Sequence, residues 1–211
     1  MKQRDLIQAA AEIFSSAAKY TESNYLVGLS GINCAGKSTL ARALSEESFG
    51  FPSLPCVFDI DDFLHERKMR NADPDQVAGC YNSFDYATLF ERILQPAKAA
   101  PQLSTVVRAL NAQEDVYENR RIEIDGPCVV ITEGIFLYRK DLPDVFDLRL
   151  WVEISEEEIV RRALGRSREL ATHPDTESIL NRYNGRFIPA QRFHLTNDRP
   201  VDGCHVVFEI I

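Results

Sequence analysis

Four short stretches carry the residue types that phosphate and proton chemistry need. The first, Gly31-Ile32-Asn33-Cys34-Ala35-Gly36-Lys37-Ser38, fits the pattern G-x-x-x-x-G-K-[ST]. Glycine at 31 and 36 lets the backbone turn its amide N–H groups toward phosphate oxygens, and the N-terminus of a following helix adds to that anion site. Lys37 is expected to reach the β- and γ-phosphates of a nucleotide and Ser38 to ligate Mg²⁺. Asn33, Cys34, Ala35 and Thr39 complete the cradle, with Cys34 read as a small filler rather than a redox group.

The second stretch, Val57-Phe58-Asp59-Ile60-Asp61-Asp62-Phe63, sets three acids against an apolar run. A strand period of two puts Asp59 and Asp61 on one face if the strand extends that far, with Asp62 opposite. A carboxylate there can take the proton of an acceptor hydroxyl or hold Mg²⁺, directly or through water. Asp61 is the expected base and metal residue. Whether Asp59 or Asp62 shares its role stays open, since aspartate also serves turns and helix caps. In the third stretch, Val129–Gly134, Glu133 ends an apolar run and is expected to complete the magnesium shell. The fourth runs from Ile159 to Arg168, with Arg161, Arg162, Arg166 and Arg168 and no acid among them. Arg162 and Arg166 lie four apart on one helix face and are expected to neutralise charge on a transferring phosphoryl group. Arg168 is expected to bind nucleotide. A solvated helix, with its arginines paired to Glu158 and Glu169, is the bland alternative.

The elements that must position these groups alternate along the chain. Helical periodicity covers Asp5–Ala18, Lys37–Glu47, Tyr86–Ala99, Glu156–Glu169 and Thr176–Phe193. Apolar runs predict strands at Tyr25–Leu29, Cys56–Ile60, Thr105–Ala109, Cys128–Thr132, Leu148–Ile154 and His205–Ile210, with an antiparallel addition at Ile122–Ile124. Strands alternating with helices imply one α/β domain over residues 1–211, with a mostly parallel sheet and helices on both faces. An N-terminal helix occupies residues 1–20, and a polar segment at about 165–178 reads as a small lid. Ligands of such sheets bind beyond the carboxyl ends of the strands, where the acids and the glycine loop fall.

Composition narrows the partners. The 211 residues hold 24 basic and 32 acidic side chains, a net charge of −8 that argues against a duplex-binding protein. No His or Cys spacing suits zinc, and the five cysteines are scattered without a CxxC pair. The first residues are charged throughout and read as no signal peptide, and no apolar run approaches a bilayer span. A reduced cytoplasmic setting, a small-molecule substrate, no nucleic acid and no membrane are the expectations. The apolar stripe of the first helix is expected to pack within the chain, with a homo-oligomer as the alternative.

From about Tyr25 onward the chain resembles the uridine kinase-like and phosphoribulokinase-like P-loop small-molecule kinases. The likeness rests on Gly31–Thr39, Asp61-Asp62-Phe63, Ser83-Phe84-Asp85, Glu133-Gly134-Ile135-Phe136 and the Arg161–Arg168 segment. It implies a P-loop three-layer sandwich, ATP and Mg²⁺, and transfer of the γ-phosphoryl group to a hydroxyl, most naturally of a nucleoside. It also implies Asp61 as base and an acceptor pocket drawing on Asp61, Asp62, Phe63, Tyr81 and Phe84. Two departures count against uridine itself. Val77–Ser83 has no acid where uridine kinases place one for the ribose hydroxyls, and their nucleobase motif is blurred. Nicotinamide riboside, pantothenate or a sugar phosphate are alternative acceptors. The rivals in other classes are a regulatory NTPase with no metabolite acceptor and a binding module without catalysis.

Overall fold

The computed structural model describes residues 3–17, 22–166, 169–170 and 175–210. Its centre is a five-stranded sheet in the order β2-β5-β1-β6-β7, built from Tyr25–Gly31 (β1), Cys56–Asp59 (β2), Val129–Gly134 (β5), Leu148–Glu153 (β6) and Val206–Glu209 (β7). Every neighbouring pair in it is parallel. Val129, Val130 and Ile131 are wholly buried, as are Leu26, Val27 and Leu29 in β1. Strands covered on both faces read as such continuous apolar runs.

Helix α1 (Gln3–Ala17) and helix α2 (Lys37–Leu44) pack on each other, and α2 lies against β1, β2 and β5. Phe14 of α1 meets Phe49 edge to face at 5.0 Å. Burial of Phe14, Leu40 and Leu44 contributes about 2 kcal/mol each. The apolar stripe of α1 is thus covered within the chain, as its sequence suggests. Short helices α3 (Arg67–Arg70) and α4 (Gln76–Tyr81) follow β2. Tyr86–Leu89, Phe90–Leu94 and Gln95–Ala99 then run on as one rod, α5, its middle part π-wound. Phe90 of α5 packs on Phe146, just ahead of β6. Asn24 ties the foot of the sheet together: its Nδ2 donates to the carbonyls of Ala97, Ala100 and Pro101, and its Oδ1 accepts the Cys128 N–H.

Helix α6 (Glu156–Leu164) follows β6, and α7 covers Thr176–Arg182, Tyr183–Phe187 and Ile188–Asp198, again with a π-wound middle. Ser155 caps α6 by accepting the Glu158 N–H.

Three expectations need correction. Thr105–Ala109 is not a strand of the parallel sheet. It lies in β3 (Gln102–Asn111), which pairs antiparallel with β4 (Val116–Asp125) as a separate two-stranded hairpin. The Ile122–Ile124 addition belongs to that hairpin. Its alternating exposure in β4 is the mark of a ribbon covered on one side only. The helix expected over Glu156–Glu169 reaches only Leu164, where Gly165 ends it. Finally, β2 stops at Asp59, and Ile60–Phe63 turn as a 3₁₀ helix, so Asp59 and Asp61 do not share a strand face. Of the lid segment, Ser167, Arg168 and residues 171–174 lie outside the described residues.

Candidate active site

The glycine loop leaves β1 and enters α2 with the geometry its composition requires. Gly31 has φ +150°, and a Cβ there would lie 2.1 Å from the Val152 carbonyl oxygen of the neighbouring strand. Gly36 caps α2 in the left-handed conformation, φ +93°, with open space where a side chain would stand. The loop therefore presents its amides into a free volume at a helix N-terminus, which is what a phosphate group needs. Cys34 also has a positive φ of 61°. Its carbonyl accepts Arg162 Nη1 at 3.1 Å, and its thiol lies 3.5 Å from both Arg166 Nη1 and the Tyr183 hydroxyl.

Lys37 is buried, and its Nζ donates to the Ile32 carbonyl inside the same loop at 2.8 Å. Burial lowers its pKa, against the opposing pull of Glu133, Asp61 and Asp59. Those acids converge from the carboxyl ends of β2 and β5, which are paired in register at Asp59 and Glu133. Burial, then the charges of Glu133 and Asp61, push Asp59 up to about 7. Glu133 is raised as well, mainly by burial, although Lys37 and a hydrogen bond from Ser38 resist. The Asp59 carboxylate accepts the Asp61 N–H at 2.9 Å and so caps the 3₁₀ turn.

One cavity gathers Asn33, Cys34, Lys37, Ser38, Asp59, Asp61, Phe84, Glu133 and Arg166. The chain thus brings together the loop, both strand-end acids and one of the expected arginines. Other expected residues are elsewhere. Phe63 is core, with its carbonyl accepting the Asp85 N–H at 2.7 Å. Tyr81 is buried behind the cavity, where its hydroxyl donates to Asp198 and Arg139 stacks on its ring at 3.9 Å. Neither side chain lines the cavity, because apolar bulk and a committed hydroxyl hold both in the packing. Asp62 faces an adjoining outer groove and pairs with Arg120 at 2.5 Å. Asp85 caps α5 through the Thr88 N–H. Arg162 is clamped between Glu158, at 2.6 Å, and the Cys34 carbonyl, so it holds the loop from behind. Gly31, Ala35, Gly36 and Thr39 shape the loop, and Arg168 lies outside the described residues.

Sequence reasoning missed Arg70, Arg182, Tyr183 and Arg186, all of which line the cavity. The four-residue spacing of Arg182 and Arg186 on a helix was the available signal. Tyr183 is buried and joins α7 to the loop, its hydroxyl bonding Glu169 at 3.2 Å.

A magnesium ion fits the donor set here. Ser38, Asp61 and Glu133 are all hard oxygen donors, and Asp59 and Glu133 repel one another in a buried setting that a cation would relieve. Among the described residues no three His, Cys, Asp or Glu side chains form a ready-made metal cage. Magnesium is ordinarily held by one or two carboxylates, with waters and substrate phosphates completing its shell.

A parallel sheet with a glycine loop between its central strand and a helix, and acids at the neighbouring strand ends, defines a P-loop nucleotide-binding fold. The comparisons narrow that class. The chain is 29% identical over 186 residues to a pantothenate kinase of Agrobacterium fabrum and 31% over 194 residues to one of Rhizobium johnstonii. Each alignment covers 81% of this chain and 58% or 56% of the relative, so the chain spans little more than half the length of these relatives. No family model matches. Among solved structures, one described as a possible uridine kinase from Bacillus stearothermophilus aligns over 99% of this chain and 100% of its own, with a TM-score of 0.74 and 23% identity. A D-glycerate 3-kinase from Cryptococcus neoformans aligns over 88% and 87%, with a TM-score of 0.65 and 13% identity. The resemblance to the uridine kinase- and phosphoribulokinase-like P-loop kinases is borne out by these likenesses in sequence and fold. Among the described residues no helix is long and apolar enough to cross a membrane.

Proposed function

We propose that the protein is an ATP-dependent kinase that transfers the γ-phosphoryl group to a hydroxyl of a small metabolite. The observation that carries this reading is the buried Lys37 of the glycine loop, set in one cavity with Asp59, Asp61 and Glu133. The loop amides and Lys37 hold the donor phosphates. Bound Mg²⁺, on Ser38 with Asp61 and Glu133 directly or through water, would neutralise charge on those phosphates. Asp61 accepts the proton of the acceptor hydroxyl while its oxygen bonds to the γ-phosphorus and the bond to ADP breaks. Asp59 keeps Asp61 in place through the backbone bond at 2.9 Å. Arg166 lines the cavity beside the loop and offsets charge on the phosphoryl group.

The acceptor classes to test follow from the relatives: pantothenate from the names of the sequence relatives, glycerate and nucleosides from the structural ones. The expected result is ADP formed in step with a phosphorylated acceptor, identified by mass spectrometry from a panel of these compounds and sugar phosphates. Phosphate released to water alone would overturn the kinase reading in favour of a regulatory NTPase.

A further inference from the structure

Two cysteines that the proposed reaction does not use meet at the foot of the sheet, at the opposite end of β2 and β5 from Asp59 and Glu133. Cys56 opens β2, the edge strand, and Cys128 immediately precedes β5. Cys56 is in register with Val130, two residues beyond Cys128. The strand period of two therefore puts both sulfurs on one face. They lie 3.9 Å apart, with the Cys128 thiol donating to the Cys56 sulfur. The two are 72 residues apart in the chain, so the fold alone makes the pair.

Their surroundings make them unequal. Cys128 is wholly buried and pinned, its N–H donating to Asn24 Oδ1 at 3.0 Å and its carbonyl accepting the Tyr25 N–H at 3.0 Å. Cys56 is half-buried at the sheet edge. The bond from Cys128 lowers the Cys56 pKa, against burial and the Asp125 charge, and that same bond together with burial raises Cys128. Cys80 and Cys204 are instead pushed up by burial, Cys204 to about 12, with its thiol donating to the Pro200 carbonyl at 3.2 Å. The thiolate is the form that attacks an oxidant, and a reachable thiol with a second cysteine beside it is the arrangement in which oxidation stops at a disulfide.

We infer that Cys56 and Cys128 form an oxidation site for hydroperoxides, with Cys56 as the attacking sulfur and Cys128 as the resolving one. The site stands on its own geometry and does not depend on the kinase reading. Cys56 Sγ attacks one oxygen of a hydroperoxide ROOH. The O–O bond breaks, Cys56 becomes a sulfenic acid, and ROH leaves with the thiol proton. Sulfur is oxidised by two electrons and the peroxide is reduced by two. Cys128 Sγ then attacks Cys56 Sγ: the S–S bond forms, the S–OH bond breaks, and hydroxide leaves as water with the Cys128 proton. Closing the sulfurs from 3.9 Å to about 2 Å draws on a four-residue edge strand held by one neighbour. The tie captures Cys56 before it reaches the irreversible sulfinic acid.

The test treats the full chain, reduced and freed of reductant, with about a tenfold excess of hydrogen peroxide, then alkylates it and maps its peptides by mass spectrometry. The expected result is a peptide joining Cys56 to Cys128, with both thiols recovered in dithiothreitol. In Cys128→Ser the sulfenic acid on Cys56 has no resolving thiol, so dimedone label on the Cys56 peptide rises about fivefold or more over wild type. Full alkylation of both cysteines in treated wild type overturns the inference. So does a link from Cys56 to any other cysteine, or equal dimedone label in the two proteins. Cys128→Ala repeats the label test if serine disturbs the buried position, and the wild-type peptide map decides without either variant.

Discussion

Asp59 accepts the backbone N–H of Asp61 at 2.9 Å, so one strand-end acid sets the direction in which the next one points. Asp59 is thereby a positioning residue and Asp61 the expected base. Asp61→Asn is expected to lower kcat by about 10²–10⁴-fold and to leave the melting temperature nearly unchanged. Asp59→Asn keeps an oxygen for the Asp61 N–H and should cost about tenfold or less, whereas Asp59→Ala loses the cap and should cost more. Steady-state ADP release with the acceptor found in the screen reads all three. Near-normal turnover in a folded Asp61→Asn protein would remove the base assignment.

Lys37→Ala removes a buried ammonium facing Glu133, Asp61 and Asp59. Its affinity for a fluorescent ATP analogue is expected to fall by about tenfold or more, read by anisotropy. Unchanged affinity would mean that the loop does not hold the donor.

Tyr81 answers a question about role. If its hydroxyl serves only Asp198, Tyr81→Phe costs about 1–3 kcal/mol of stability by leaving a buried carboxylate short of a donor. Acceptor KM and kcat stay put. A raised KM in a protein of unchanged melting temperature would return Tyr81 to the substrate pocket, where the family resemblance put it.

His194 makes stability depend on pH. Burial lowers its pKa below 6.5, outweighing the Asp198 carboxylate bonded to its Nδ1 at 2.6 Å, and the nearby Arg139 charge adds to the lowering. Tyr81 from α4, Trp151 from β6, Arg139 and, from its own helix, Asp198 surround it. Below 6.5 the unfolded chain binds a proton that the folded chain resists, so this contribution is present above 6.5 and is lost as pH falls toward the lower folded value. Asp198 adds a separate loss at lower pH. Burial alone would raise it, but bonds from Tyr81 and His194 hold it below 3.8. Urea midpoints measured from pH 7.5 down to about 4.5 should therefore fall in wild type and fall less in His194→Gln. Parallel curves would show that His194 is not the titrating group.

The parts of the site legible in the sequence are those whose chemistry is local. The glycine loop announces itself because two backbone angles and one lysine must sit at fixed spacing. Glu133 and Asp59 are legible because an apolar run ends on each. What the sequence hides is decided between elements. Thr105–Ala109 has the composition of a sheet strand, but β4 claims it as a hairpin, with Val106 in register with Arg121 fifteen residues further on. Tyr81 has the look of a pocket aromatic until Asp198, far along the chain, takes its hydroxyl. Arg186 meets Arg70 through a bond from its guanidinium to the Arg70 carbonyl, more than a hundred residues away in the chain, and no local pattern records that meeting.

The π-wound turn Tyr183–Phe187 sits in the middle of α7 and carries Tyr183, Arg186 and Phe187. Such a turn holds one residue more than the α-helical turns around it. Each added or removed residue rotates whatever follows by about 100°. Which side chains this turn presents to the cavity is therefore set by helical phase as well as by side-chain identity. A single-codon insertion or deletion at this turn would re-aim those side chains without any change in the residues of the sheet or the glycine loop.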